Sequence, residues 1–178
     1  MVRRRLLAAW VVLAGTAAVT AGPSPAADPP AVRAPSYILV SGVDGSVLSA
    51  RVPDAQRPVA SITKLMTVLV ALEHARLDEV VAVAAAATAI GESNIALQVG
   101  EPLTVAQLAI ATLVPSANDA ATALALHAAD GSLPRFVGWM NAKARRLGMR
   151  DTRFRNPHGL DQPGHVSSAR DTVILLRA

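Results

Sequence analysis

Ala60-Ser61-Ile62-Thr63-Lys64-Leu65-Met66-Thr67 carries both a change of pattern and a chemical pairing. From Ala60 onward the apolar residues Ile62, Leu65, Met66, Leu69 and Leu72 recur at three- and four-residue spacing. That spacing predicts a helix with this face turned toward the core. Ser61 and Lys64 then share a helix surface, with Cβ atoms roughly 5–6 Å apart. A lysine bordering apolar packing is desolvated and holds its proton less tightly. It can then accept the serine proton and make the oxygen nucleophilic. Arginine could not do this, because it stays protonated. The chain has two lysines, Lys64 and Lys143, against fifteen arginines, so a lysine here is not the chain's usual way of supplying charge. Taken alone, the pair is also compatible with a capping serine and a solvated lysine.

Downstream, Thr104-Val105-Ala106-Gln107 fits a capping box that opens an apolar helix. Pro115 must end that helix. A second helix is predicted from Asp119 to about His127, which leaves Ser116-Ala117-Asn118 on a short connection. Connections of this kind commonly display functional side chains. A serine hydroxyl there can relay a proton, and an asparagine amide can hold a substrate carbonyl. Ser and Asn also suit an ordinary helix N-cap. A third helix is predicted from Pro134 to Gly148, then a turn at Asn156-Pro157-His158-Gly159, then a helix capped by Ser168. Upstream, Tyr37-Ile38-Leu39-Val40 and Val47-Leu48 flank Asp44-Gly45, which signals a hairpin. Residues 80–87 fit strand or helix equally.

The 178 residues suggest one domain. Hydrophobic residues make up 52% but aromatics only 3%, so the core is built from small aliphatic side chains, and Trp139 and Met140 read as core residues. With 17% charged residues the chain is too apolar to be disordered. The absence of cysteine excludes disulfide scaffolds, thiol nucleophiles and cysteine–zinc sites. The net charge of +4 falls to +1 without Arg3, Arg4 and Arg5, and no basic stripe with interleaved aromatics remains, so nucleic acid is not an expected partner. Those arginines precede an apolar run over residues 6–19, shorter than the ~20 residues a membrane span needs. Residues 1–27 therefore read as an export signal, whose uncleaved form would be the only membrane contact. Residues 28–35, within a stretch (22–35) holding five prolines, read as a linker, and residues 36–178 as the domain, acting outside the cytoplasmic membrane. His74, His127, His158 and His165 lack metal-ligand spacing and read as surface or turn residues. No metal or cofactor is expected. No Gly-x-Ser-x-Gly elbow or phosphate-cradling loop occurs.

The stretch from Ala60 to Thr67 resembles the nucleophile motif of serine D-alanyl-D-alanine carboxypeptidases, the low-mass penicillin-binding proteins. Val114-Pro115-Ser116-Ala117-Asn118-Asp119-Ala120 resembles their second motif. Met140-Asn141, Ala144, Leu147-Gly148-Met149, Thr152, Phe154, Asn156-Pro157-His158-Gly159-Leu160 and Ser168-Ala169-Arg170-Asp171 follow a further family stretch. The resemblance implies an α/β (α+β) fold of the β-lactamase/transpeptidase type. It implies Ser61 as nucleophile toward the D-Ala-D-Ala bond of a peptidoglycan stem peptide, Lys64 as general base, Ser116 as proton relay and Asn118 as substrate-binding residue. The Ser61 N–H would be an oxyanion donor, and β-lactams would acylate Ser61 as covalent inhibitors. The family's Lys-Thr-Gly strand motif is absent. The expectation is therefore an N-terminal portion, with one hairpin and a helical region but without the later strands, marginally folded and nearly inactive. Two alternatives stay open. One is a class A-like β-lactamase, although that class has Ser-Asp-Asn where this chain has Ser116-Ala117-Asn118, and no glutamate follows Glu101 to activate a deacylating water. The other is a non-catalytic cell-wall-binding pseudoenzyme.

Overall fold

The computed structural model describes residues 32–178. The expected export segment lies outside the described residues, as does the first half of the linker. Residues 34–178 form one compact unit. It opens with strands β1 (Tyr37–Val40) and β2 (Val47–Arg51), paired antiparallel with a register shift between Leu39 and Val40. The Asp44-Gly45 turn closes them as expected. Ser46 N donates to Asp44 Oδ1 at 3.1 Å, and Gly45 supplies the left-handed φ of 77°.

A single 3-10 turn, Ala60–Ile62, leads into α1 (Thr63–Ala71). The ambiguous segment divides into both predicted forms, β3 (Val80–Ala82) and the one-turn α2 (Ala85–Thr88). Strand β4 (Pro102–Thr104) pairs antiparallel with β3. This second sheet corrects the expectation that the chain offers only one hairpin; its strands are three residues long, too short for period-two patterning to reveal. Helix α3 (Val105–Leu113) begins at the capping box, with Thr104 and Gln107 bonded reciprocally, and stops short of Pro115. Helices α4 (Asn118–Ala128), α5 (Leu133–Leu147) and α6 (Ala169–Leu176) complete the chain, α5 ending at Gly148 with φ 83° and α6 capped by Ser168.

The core centres on α4, of which every residue except His127 is buried. Five of its eleven residues are alanine, so α1, α2, α3 and α5 can pack closely around it. The buried face of α1 differs from the one periodicity selects. Thr63, Lys64, Met66, Thr67, Val70 and Ala71 are buried, while Ile62 and Leu72 are exposed and Leu65 and Leu69 only partly covered. The reason is that α1 is apolar nearly all round, so apolar spacing does not choose a face. Its polar residues go inward because hydrogen-bond partners wait there. Met140 is fully buried, whereas Trp139 is half-buried and stacks on His74 with ring centroids 3.8 Å apart.

Candidate active site

The 3-10 turn and the first turn of α1 bring Ser61 and Lys64 together at the edge of the core. Lys64 is 1% exposed, and its Nζ lies 3.0 Å from Ser61 Oγ. Burial lowers the Lys64 pKa from its ordinary 10.5, since a charged ammonium loses hydration that the apolar surroundings do not replace. Lys64 is thus desolvated, through its own burial rather than by bordering the Ile62/Leu65/Met66 face.

Ser61 opens into a cleft of about 540 Å³ lined also by Glu92, Ser93, Asn118, His158, Gly159 and Asp161. Asn118 is the first residue of α4 and is buried; its backbone N–H donates to Ser93 O at 2.7 Å, and its amide reaches Gly91 O at 3.4 Å. Neighbouring Asp119 accepts from Leu97 N at 3.1 Å, Ile95 N at 3.2 Å and Ala120 N at 2.9 Å. These bonds fasten residues 91–97, which turn through positive φ at Glu92, Ser93 and Ala96, as one wall of the cleft.

Ser116 is placed differently. It sits half-buried on the connection before α4 with φ 61°, and no hydrogen bond joins it to Ser61 or Lys64. Neither Ser116 nor Asn118 is a cap: Ala117 is the N-cap of α4, without a side-chain bond. The geometry thus places Ser61 and Asn118 in the lining of one cleft, with Lys64 hydrogen-bonded to Ser61, and leaves Ser116 out of that lining.

A further wall is the segment 155–165, held to α1 and the 3-10 turn before it by three contacts. Thr67 Oγ1 donates to Pro157 O at 2.6 Å. Gly159, with φ 93°, presses against the carbonyl of Ala60, and a Cβ there would also stand 3.1 Å from Ser61 N. The third is His165, which is 3% exposed, in contrast to the surface position expected of it. Its Nδ1 accepts from Arg155 N at 3.1 Å, so the ring proton sits on Nε2 and is donated to Thr63 Oγ1 at 2.7 Å. Burial pushes the His165 pKa down, with Asp161 opposing. His158 also accepts through Nδ1, from Leu160 N, and is pushed down to about 4 by burial, then by Lys64 and His165. Both rings are neutral at pH 7.

Sequence reasoning did not assign Thr63, Thr67, Asp119, His158 or His165 to the site. The available signal was a cluster of polar residues inside otherwise apolar helices, at 63, 64 and 67 on α1 and at 118 and 119 on α4. Among the described residues no group of three His, Cys, Asp or Glu converges to hold a metal ion.

Comparison with known proteins adds independent findings. A family model described as D-alanyl-D-alanine carboxypeptidase matches residues 24–178. The D-alanyl-D-alanine carboxypeptidase DacD of Salmonella typhimurium is 38% identical, over 100% of this chain and 49% of its own length. Penicillin binding protein 6B of Escherichia coli superposes with a TM-score of 0.78 at 38% identity, covering 84% of this chain and 50% of that one. A D-alanyl-D-alanine carboxypeptidase of Mycobacterium tuberculosis does so with a TM-score of 0.77 at 35% identity, covering 83% and 56%. The chain spans about half the length of the curated relatives it matches. The architecture is therefore that of the penicillin-binding transpeptidase fold, over the part of it that this chain covers.

Proposed function

The chain belongs to the D-alanyl-D-alanine carboxypeptidase family, and from that premise we propose that it acts as a serine carboxypeptidase on peptidoglycan stem peptides ending in D-Ala-D-Ala. The observation that carries this reading is the 3.0 Å contact between Ser61 Oγ and a fully buried Lys64.

Unprotonated Lys64 takes the Ser61 hydroxyl proton as Oγ bonds to the carbonyl carbon between the two D-alanines. Negative charge gathers on the carbonyl oxygen, beside the Ser61 N–H at the entry to α1, which donates to it. The tetrahedral intermediate collapses by breaking its C–N bond. The departing amine of the terminal D-alanine takes the proton held by Lys64, relayed through the Ser116 hydroxyl. Water then adds to the Ser61 ester, and the shortened peptide leaves. Asn118, in the lining of the cleft, positions the peptide amide. A β-lactam enters the same sequence, but its amine stays tethered after the ring opens, which leaves Ser61 acylated. The protein works in the cell envelope after export by residues 1–27, with residues 28–35 as a linker to the catalytic domain.

Intact-mass and peptide mass spectrometry after treatment with a penicillin tests the reading. One adduct, on residue 61, is the expected result. An adduct elsewhere, or fast turnover of the drug with no adduct, refutes it.

A further inference from the structure

Three concavities adjoin one another through shared lining residues, beginning at Ser61. The Ser61 cleft shares His158 with a groove of about 470 Å³ between the start of α5 and residues 153–158. That groove shares Asn141 and Arg153 with another of about 750 Å³ at the C-terminal end of α5. The charge changes sign along this path. Glu92 and Asp161 border the Ser61 cleft, whereas the two further grooves are lined by Arg155, Arg153, Arg150 and Arg145, with no acidic residue in either lining.

All four arginines are exposed, and none forms an ion pair with a described residue. Of the other described arginines, Arg76, Arg135, Arg146 and Arg170 are paired and Arg33, Arg51, Arg57 and Arg177 are not; what marks these four is that they line adjoining grooves. Arg145 lies in the last turn of α5, where a cation offsets the helix dipole. Arg150, Arg153 and Arg155 lie beyond that helix, and the dipole does not account for them. Asp151, next to Arg150 in sequence, is part of neither groove lining. The linings contain no exposed aromatic ring on which a nucleobase could stack, since Phe154 is buried.

We propose that this arginine-lined path is a second binding site, which holds the carboxylates of peptidoglycan beyond the peptide being cleaved. The inference rests on the reading of the Ser61 cleft given above and extends it from a single stem peptide to the polymer. Guanidinium groups pair with carboxylates in a planar, two-pronged geometry. Each exposed pair is weak. A polymer that occupies the cleft and the path together, however, meets the second site at high effective concentration. The path then favours polymeric wall over short soluble peptides.

The test compares the wild-type chain with an Arg145→Glu/Arg150→Glu/Arg153→Glu variant. Co-sedimentation is measured with purified peptidoglycan sacculi, untreated or stripped of phosphodiester polymers, across a salt series. Labelling of Ser61 by a fluorescent penicillin is followed in parallel, with a thermal melt of each protein. The variant is expected to bind stripped sacculi about tenfold less tightly or worse, from the loss of three exposed pairs, and with a shallower salt dependence. Its penicillin labelling and melting temperature stay unchanged. An Arg150→Gln/Arg153→Gln variant, which alters charge without reversing it, falls in between. Wild-type sedimentation by the triple variant overturns the proposal, as does binding that disappears once the phosphodiester polymers are removed. If neither protein labels at Ser61 while arginine-dependent sedimentation persists, the reading of the cleft fails and the binding path stands.

Discussion

Lys64→Met separates chemistry from stability at one position. The side chains are similar in length, and the site is 1% exposed, so methionine fills the same space. The substitution removes one hydrogen bond, to Ser61 at 3.0 Å, worth about 0.5–1.5 kcal/mol. It also removes a polar group whose burial costs about 1–3 kcal/mol. The balance is a net gain of about 1 kcal/mol. For a compact unit of this size that corresponds to a melting temperature about 2–4 °C higher. On the proposed role of Lys64 as general base, its loss lowers the rate of Ser61 acylation by about 10²–10⁴-fold. The assay is a pair of measurements on one preparation: the rate of covalent penicillin labelling, and a thermal melt by circular dichroism. In the wild type the labelling rate rises with pH, with an apparent pKa below the ordinary lysine value of 10.5. In Lys64→Met that dependence disappears. A methionine variant that labels within tenfold of wild type would show that Lys64 is not the base. One that melts several degrees lower would show that its ammonium is a structural ion rather than a group destabilised for function.

Three further outcomes follow from the walls of the cleft. Gly159→Ala places a methyl against Ala60 O at φ 93°, so a cost of at least 1–2 kcal/mol and a displaced Ser61 are expected; a melt and labelling rate equal to wild type would contradict the close approach. Asp119→Ala leaves the N–H groups of Ile95 and Leu97 without their acceptor, which costs about 2 kcal/mol and should raise hydrogen exchange at residues 93–97; unchanged exchange there would refute the clamp. His158 has a folded-state pKa lowered to about 4, so the unfolded chain takes up its proton first as the pH falls. Its contribution to stability is intact above about pH 6.5 and is lost progressively toward pH 4; the ring is partly exposed, so solvent screening keeps the total below the roughly 3 kcal/mol that the full shift would give, with His165 adding in the same direction. Denaturant titrations from pH 7 to 4 check this, and a His158→Gln variant with an identical acid profile would refute it.

Much of the architecture was local and therefore legible in the sequence. The Asp44-Gly45 hairpin, the Thr104/Gln107 capping box, the stop before Pro115, the Gly148 terminus and the Ser168 cap each depend on residues within one turn of one another. The Ser61/Lys64 pair was legible for the same reason, since helix geometry alone brings positions three apart together. What the sequence could not decide was which way α1 faces and what surrounds it. An apolar residue carries the same signal on either side of a helix, whereas burial of Thr63, Lys64 and Thr67 requires partners supplied from far along the chain. Those partners are Pro157 O for Thr67 and His165 for Thr63, the latter 102 residues away. The same long-range packing moved His165 from an expected surface position into the interior and set the loop 91–97 against α4. Sequence thus determined the Ser61/Lys64 spacing and the elements that carry it. Tertiary structure decided the desolvation of the lysine, because that depends on atoms brought together only when distant segments pack.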